Sequence, residues 1–570
     1  MADFPISQNT EFMENWRKSL NDEVIKSPCT PVPIPEDTVI ARALKSLKVH
    51  ASKHPNNTAV IEALNHERSL TYQQIHDRAL SFATFLTSRG FAMGDRVTVA
   101  LPNSIEFPVV HFGTWAAGGS VVGAREAFKL HEYVHQLRDS CPTVVVITEQ
   151  SLDVVIEAVQ QCPSVKTIVC VRSSEKKLPG GVIDFEETLL HEPLREIAPV
   201  TPDSECMLLY SSGTTGLPKG VIHTHRTFHC ALEMMIGYVF FKFVLCVTYF
   251  DFLNNFPQES QVQAFSCYHM SGFLFLNMYL LTGSPVVLMK AFDGDVYLDV
   301  IENFKPRYLG VSPPIFSYLA KDVHGKKGAL SSVQMVMCGA APLSKELSDE
   351  FQASHPNVKY IVQVYGMTES IVSHLPLLLE EGVNAAAGVV GSFYEQRIVD
   401  PTSQKGCKQG QLGEIWLRGA PQAVGYLNNE DATKQFIDGD GWMHTGDVGY
   451  IDERGLLHIV DRIKELIKVN YNTQTMQVAP AQIEGFLLTH HKIRDAAVVG
   501  VTVQQRVGEL IRAFVVRADE TLTREDVEGL IADKLAEYQR ITGGVYFIDT
   551  IPRAATGKIL RRALKEIETA

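Results

Sequence analysis

The densest chemistry in the chain lies in twelve residues, Tyr210-Ser211-Ser212-Gly213-Thr214-Thr215-Gly216-Leu217-Pro218-Lys219-Gly220-Val221. Glycines let a backbone turn tightly and approach a ligand. Serine and threonine hydroxyls, bare N–H groups and one lysine are the groups that grip a polyphosphate. The common phosphate loop ends in Gly-Lys-Ser/Thr. Here Lys219 follows Pro218 and precedes Gly220, so the motif is a different one. A flexible polar turn is the plainer explanation, and the density and order of these residues argue against it.

Other clusters carry chemistry at a distance. Cys338-Gly339-Ala340-Ala341-Pro342 leaves room beside small residues for a flat ligand. Val364-Tyr365-Gly366-Met367-Thr368-Glu369 offers an aromatic face, a hydroxyl and a carboxylate. Thr445-Gly446-Asp447 sets a carboxylate on a tight turn, suited to two vicinal hydroxyls. Asp461-Arg462-Ile463-Lys464-Glu465 alternates in charge, and Ala555-Thr556-Gly557-Lys558 is a late loop with one lysine. Taken singly, each is also explained as a turn, a core tyrosine or a solvated face. Their ordered joint occurrence is what carries weight.

These groups need a scaffold, and at 570 residues the chain is too long for one core. It is 45% hydrophobic and 21% charged, ordinary for a globular protein, with a net charge of −13. That charge gives no electrostatic case for nucleic acid. Ten cysteines without a Cys-x-x-Cys pair fit a reducing compartment. Apolar runs at Val97–Leu101, Thr143–Thr148, Val286–Met289 and Val333–Cys338 read as buried strands separated by helical patterns. The fold class expected is therefore α/β with largely parallel sheets. Past 495 the texture changes: strand-like 495–501 and 512–517, a capping box at Thr523–Asp526, a helical pattern and a last strand at Tyr546–Ile548. The organisation predicted is a polar lead-in at 1–45, a large domain at 46–460 and a compact α+β domain at 461–570.

In six ordered motifs the chain resembles the adenylate-forming superfamily of acyl-CoA synthetases, 4-coumarate–CoA ligases and beetle luciferases. They are the loop at 211–221, Tyr-Gly-Met-Thr-Glu (365–369), Gly-Glu-Ile-Trp-Leu-Arg-Gly (413–419), Trp-Met-His-Thr-Gly-Asp (442–447), Val-Asp-Arg-Ile-Lys-Glu-Leu-Ile-Lys (460–468) and Pro-Arg-Ala-Ala-Thr-Gly-Lys-Ile (552–559). The resemblance spans residues 45–565. It implies two parallel-rich sheets, a small β-barrel-like part and a mobile C-terminal domain.

The resemblance also implies two steps. A carboxylate attacks the α-phosphorus of ATP to give an acyl-adenylate and pyrophosphate, and the thiol of coenzyme A then displaces AMP. A carboxylate is already a nucleophile, so positioning and cations are the expected tools. By the same resemblance Ser211, Ser212, Gly213, Thr214, Thr215, Gly216 and Lys219 hold phosphates, with Thr214 and Lys219 taking part in catalysis. Glu369 binds Mg²⁺. Gly339, Ala340, Ala341, Tyr365, Gly366 and Thr368 frame the adenine. Asp447, Arg462 and Lys464 serve the ribose side. Lys558 reaches the α-phosphate and the attacking carboxylate, swinging in and out about a hinge aligned with Asp461. His269 aligns with a residue beside the substrate acid; a buried histidine bonded to backbone explains it equally. His223 and His225 have no third ligand nearby for a metal.

Three departures from the pattern bear on function. Val364 replaces a glycine. Residues 469–476 carry about four extra positions and lack the usual Lys-Gly on the pantetheine path, which leaves the CoA step open. Val239–Phe256 is a phenylalanine-rich interval about ten residues longer than usual, either an apolar insertion or retained intron-like sequence. The predicted activity is an ATP-dependent acid–CoA ligase acting on a hydrophobic carboxylic acid. An adenylate-forming enzyme without an efficient CoA step, such as a luciferase-like oxygenase, and a degenerate nucleotide binder stay open. The partners predicted are small molecules, without nucleic acid or a transmembrane anchor. A cytoplasmic location is expected, because neither a signal peptide nor a C-terminal Ser-Lys-Leu is present. Oligomeric state is not legible.

Overall fold

The computed structural model describes residues 16–29, 32–211, 218–246, 259–321, 328–341, 343, 345–376, 382–383, 386–471, 474–502, 508–554 and 557–567. Among these residues an eight-stranded sheet forms the largest layer, with parallel pairing from Glu205–Ser211 through to Val182–Asp184. Its strand Val144–Thr148 reads Val-Val-Val-Ile-Thr. An unbroken β-branched run of this kind suits a parallel strand covered on both faces. A second, four-stranded sheet is wholly parallel and contains Met335–Cys338 and Tyr360–Gln363. A third, built around Val286–Leu288, mixes parallel and antiparallel pairs. The expected α/β class with parallel-rich sheets is what the chain forms.

The part expected to be barrel-like is a five-stranded antiparallel sheet, ordered Ile25–Lys26, Tyr394–Val399, Gly413–Gly419, Met443–Ile451, Leu457–Arg462. Its two edge strands do not pair with one another, so the barrel is not closed among the described residues. Its first strand comes from the interval expected to be a polar lead-in. Trp16, Leu20 and Ile25 are buried there, and a helix begins at Val39. From Trp16 onward the N-terminus is therefore packed into the large body.

The strand Leu457–Arg462 completes that sheet, and a turn at 463–465 leads into a smaller core. There Ile467, Val478, Ile483, Ile511 and Val545 pack together. A hairpin, a three-stranded sheet and the helix Arg524–Lys534 build it. Thr523 and Asp526 form the expected capping box, each side chain bonding the other's backbone N–H. The hairpin pairs Ile467–Tyr471 with Gln474–Val478 in unbroken register. Residues 469–471 and 474–476 thus lie on a regular ladder, whose Tyr471 hydroxyl donates to Glu537 at 2.6 Å.

The interval Val239–Phe256 lies largely outside the described residues; the helix His225–Cys246 carries its backbone as far as 246. Among the described residues no helix is long and apolar enough to cross a membrane.

Candidate functional site

The elements that position the site are β1 (Glu205–Ser211), β2 (Lys219–Thr224), β3 (Met335–Cys338), β4 (Tyr360–Gln363), β5 (Gly425–Tyr426), β6 (Met443–Ile451), β7 (Leu457–Arg462), α1 (Pro480–Leu488) and α2 (Arg561–Lys565). β1, β3 and β4 present their carboxyl ends to the motifs that follow them, where ligands bind in open α/β sheets. β1 and β2 form an antiparallel hairpin with Ser211 opposite Lys219, so the two ends of the glycine-rich loop are held in register. Ser212, Gly213, Thr214, Thr215 and Gly216 lie outside the described residues.

The two ends of that loop meet Glu369. Ser211 Oγ donates to Glu369 Oε1 at 3.0 Å, and the Tyr426 hydroxyl donates to the same oxygen at 2.9 Å. Burial and the Glu369 carboxylate both push the Tyr426 phenol up, so it stays a donor. Lys219 Nζ stands 5.0 Å from the centre of the Tyr426 ring, a cation–π contact. β5 is an edge strand on β2, which is how a tyrosine two hundred residues away enters the cluster. His223 on β2 is fully buried and bonds the Thr368 carbonyl through Nε2 at 2.8 Å. Burial lowers its pKa to about 4, so the ring is neutral and serves to seat Thr368 and Glu369. It is a structural histidine, not a metal ligand.

The Glu369 environment fits Mg²⁺. Mg²⁺ takes oxygen donors and is usually held by one or two carboxylates together with substrate phosphates. A single buried carboxylate, oriented by two hydroxyls at the mouth of a glycine-rich loop, meets that description. No group of three metal-ligating side chains occurs among the described residues, so the phosphates would have to complete the coordination.

A second cluster lies along β6 and β7. Asp447 and Arg462 are opposite one another in the ladder, and Arg462 Nε bonds Asp447 Oδ1 at 3.0 Å. The Tyr365 hydroxyl donates to Asp447 Oδ2 at 2.6 Å. The turn before Asp447 is fixed by Glu414, which accepts the Gly446 N–H, and by Thr445, which donates to the Ile415 carbonyl. Tyr365 is itself buried against the core, and burial with the Asp447 charge holds its phenol neutral. Arg462 interacts electrostatically with both Glu369 and Glu465, so it links the two clusters. Gly339 leaves a gap beside Val364: a Cβ there would meet Val364 Cγ2 at 3.1 Å. Ala340 adopts a left-handed backbone, φ 74°, which alanine normally avoids. A Cβ on Gly366 would lie 2.1 Å from the Ile371 carbonyl, so only glycine fits that turn.

Lys558 comes to this second cluster from the far end of the chain. Its ammonium bonds Glu465 Oε1 at 3.2 Å and interacts with Arg462 and Asp447. Burial first, then Arg462, lowers its pKa, against the pull of Glu465 and Asp447. The neighbouring Gly557 packs on the large body: a Cβ there would stand 3.2 Å from Pro314 and 3.4 Å from Ser312.

Two other expected residues lie apart. Lys464 is exposed at the centre of the 463–465 turn. His269 precedes the buried helix Met270–Thr282, with Nε2 buried and unpartnered. Burial, with Arg125, lowers its pKa to about 4. The expected hinge residue Asp461 is locked rather than free. It sits on β7, its Oδ1 accepts the Arg462 N–H at 2.8 Å, and its Oδ2 accepts the Ala481 N–H at the start of α1 at 3.2 Å.

Tyr426, Glu414, Glu465 and Arg561 complete the two clusters, and sequence reasoning did not single them out. Glu414 and Glu465 stand inside quoted motifs, but only the sheet pairing shows what each one touches.

The chain is similar to known proteins in sequence and in fold. The AMP-binding enzyme family matches residues 47–427, and the AMP-binding enzyme C-terminal domain matches residues 482–558. The chain is 33% identical to the Peroxisomal OPC-8:0-CoA ligase 1 of Arabidopsis thaliana, covering 95% of each chain. It is 35% identical to the 4-coumarate–CoA ligase 2 of Nicotiana tabacum, over 87% of this chain and 89% of that one. Its fold superposes on the crystal structure of ATP-bound MatB from Rhodopseudomonas palustris with a TM-score of 0.80 at 25% identity, covering 93% of this chain and 99% of the other. With two thirds of its length in the first match and full-length relatives of this kind, the chain belongs to the AMP-binding enzyme family.

Proposed function

We propose that the protein is an ATP-dependent acid–CoA ligase that activates a hydrophobic carboxylic acid as its adenylate and passes the acyl group to coenzyme A. The observation that carries this reading is the placement of Lys558. A lysine from the small core stands beside Asp447 and Arg462 of the large body, with its loop packed on Ser312 and Pro314. That is where a cation is needed to draw a carboxylate onto a phosphorus.

In this reading the hairpin loop and Lys219 bind the β- and γ-phosphates, and Glu369 holds Mg²⁺, which neutralises charge on the phosphates. Tyr365 with Gly339–Ala341 frames the adenine. Asp447, oriented by Tyr365 and Arg462, accepts the ribose hydroxyls. Lys558 binds the α-phosphate and the incoming carboxylate. The acid oxygen forms a bond to the α-phosphorus as the bond to pyrophosphate breaks. In the second step the thiol sulfur bonds to the acyl carbon and AMP leaves, with the thiol proton passing to solvent. The neutral His269 lines the acid's approach.

A swing of Lys558 between the two steps fits a pivot in the 463–465 turn rather than at Asp461, whose carboxylate ties β7 to α1 in the present arrangement. A hydrophobic acid is supported by relatives named for OPC-8:0 and 4-coumarate. A cytoplasmic location is part of the proposal too, against one relative named peroxisomal; imaging of a tagged full-length chain tests it.

The test of function is pyrophosphate release from ATP and Mg²⁺ with a panel of fatty and aromatic acids, with and without CoA. The expected result is acid-dependent release in both cases and a thioester only with CoA. Release without thioester would convert the protein to an adenylate-forming enzyme of another outcome, and no release would overturn the reading.

A further inference from the structure

Lys558 is not held by the nucleotide-binding body alone. Its closest partner is Glu465 Oε1, 3.2 Å away. The other oxygen, Oε2, bonds Arg561 Nε at 3.0 Å. Arg561 is anchored in turn by Glu484 and by the Val498 carbonyl at 2.8 Å. Glu484 Oε1 also accepts the Val498 N–H at 2.7 Å. The chain of contacts Lys558–Glu465–Arg561–Glu484 therefore ends on the backbone of the three-stranded sheet. Lys558, Arg561 and Glu484 follow the 463–465 turn in sequence and Glu465 is its last residue, so with a pivot at 463–464 the unit can move with the small core. Glu465, Arg561 and Glu484 are each 15% exposed or less, and Lys558 26%. A partner this sheltered from water acts strongly on a neighbouring charge.

Resting on the adenylation reading above, we propose that Glu465 is a positioning residue for the first half-reaction: it aims the Lys558 ammonium at the Asp447–Arg462 corner and keeps it charged while the small core moves. The charges facing the pair support this. Lys558 faces Glu465 and Asp447, which favour its cationic form, and Arg462, which opposes it. Glu465 faces Lys558 and Arg561, whose charges overcome the cost of burial and hold its carboxyl below the ordinary range. Arg561 faces Asp461 and Glu484 as well as Glu465, so its own charge stays matched when Glu465 is neutralised. Loss of the Glu465 anion would leave Lys558 buried beside Arg462 with Asp447 as its one counter-charge among these groups. The sign follows directly. Removing a neighbouring anion makes the lysine easier to deprotonate, so the alkaline fall of adenylation moves to lower pH.

The experiment measures the two half-reactions separately on the full-length enzyme, as pyrophosphate release and as thioester formation from supplied acyl-adenylate, across about pH 6.5–9.5. Lys558→Ala serves as reference. Glu465→Gln is expected to slow adenylation about 30-fold near neutral pH and to move its alkaline limb down by about one unit, with the KM for ATP within about twofold. Thioester formation is expected to stay within about twofold, and Glu465→Asp to recover most of the lost rate. An unmoved alkaline limb, or an equal fall of both half-reactions, would overturn the proposal. If Lys558→Ala itself leaves adenylation intact, the lysine's assignment has failed. If Lys558→Ala abolishes adenylation while Glu465→Gln behaves as wild type, the inference alone has failed.

Discussion

The two halves of the site are held in different ways. On the large body Glu369 takes neutral hydroxyl donors from Ser211 and Tyr426, and Asp447 takes one from Tyr365 beside its single ion pair with Arg462. On the small core Lys558 is held by formal charges, Glu465 backed by Arg561 and Glu484. Neutral donors on a sheet fix a geometry at little electrostatic cost, which suits groups that must wait for nucleotide. A buried ionic chain is demanding, because each charge needs its partner in place. It suits a lysine that has to travel, since it keeps its counter-charge through the movement. In the proposed function the large body would pre-form the nucleotide site, and the small core would deliver one cation to it.

That contrast predicts the largest effect at the delivered group. Lys558→Ala is expected to slow adenylation by about three orders of magnitude while thioester formation from supplied acyl-adenylate survives. Single-turnover measurement of each half-reaction checks it. Equal losses in both would erase the distinction between the two regions. Next comes the carboxylate of the large body. Glu369→Gln is expected to lower pyrophosphate release about 100-fold, because a neutral amide binds Mg²⁺ poorly. Part of the loss should return at high Mg²⁺, whereas no Mg²⁺ concentration should restore Lys558→Ala.

A smaller change sharpens the same point. Tyr426→Phe keeps the ring under Lys219 and removes only the hydroxyl that steadies Glu369. One hydrogen bond to a charged group is worth about 1.5–3 kcal/mol, so a loss of about 10-fold or more in adenylation is expected. The loss should come with a raised Mg²⁺ requirement. An unchanged Mg²⁺ dependence would show that Ser211 alone orients the carboxylate.

The sequence makes one of these regions more legible than the other. The glycine-rich run at 210–221, the carboxylate at 369 and the charged run at 461–465 are local patterns at or after the ends of β1, β4 and β7, whereas Asp447, expected on a tight turn, lies inside β6. Strands such as Val144–Thr148 are legible because burial on both faces demands an unbroken β-branched run. The supporting residues are not, because they depend on pairing across the fold. Tyr426 reaches Glu369 only because a two-residue strand pairs with β2. Glu465 reaches Lys558 across 92 intervening positions, and no spacing rule announces it. The resemblance implied a small barrel-like part; among the described residues its edge strands, Ile25–Lys26 and Leu457–Arg462, do not pair with one another. The resemblance aligns Asp461 with a hinge, and its bond to the start of α1 is a contact that no local pattern announces.

The smallest effect tests whether the large body stores strain at its nucleotide face. Ala340 is exposed at φ 74°, directly after Gly339 and opposite Val364. A left-handed alanine costs about 1–2 kcal/mol. Replacing it with glycine removes that cost but loosens the unfolded chain by about 0.4–1 kcal/mol. The difference favours Ala340→Gly by about 0.5–1 kcal/mol. The side chain is a single methyl at the surface, so little packing is lost. A small rise in the urea midpoint is therefore expected. Thioester formation should be unchanged, and the KM for ATP should rise modestly as the adenine wall relaxes. A lower urea midpoint would mean that the left-handed alanine is held by contacts worth more than its strain. The large body would then owe its geometry at this position to packing rather than to backbone tension.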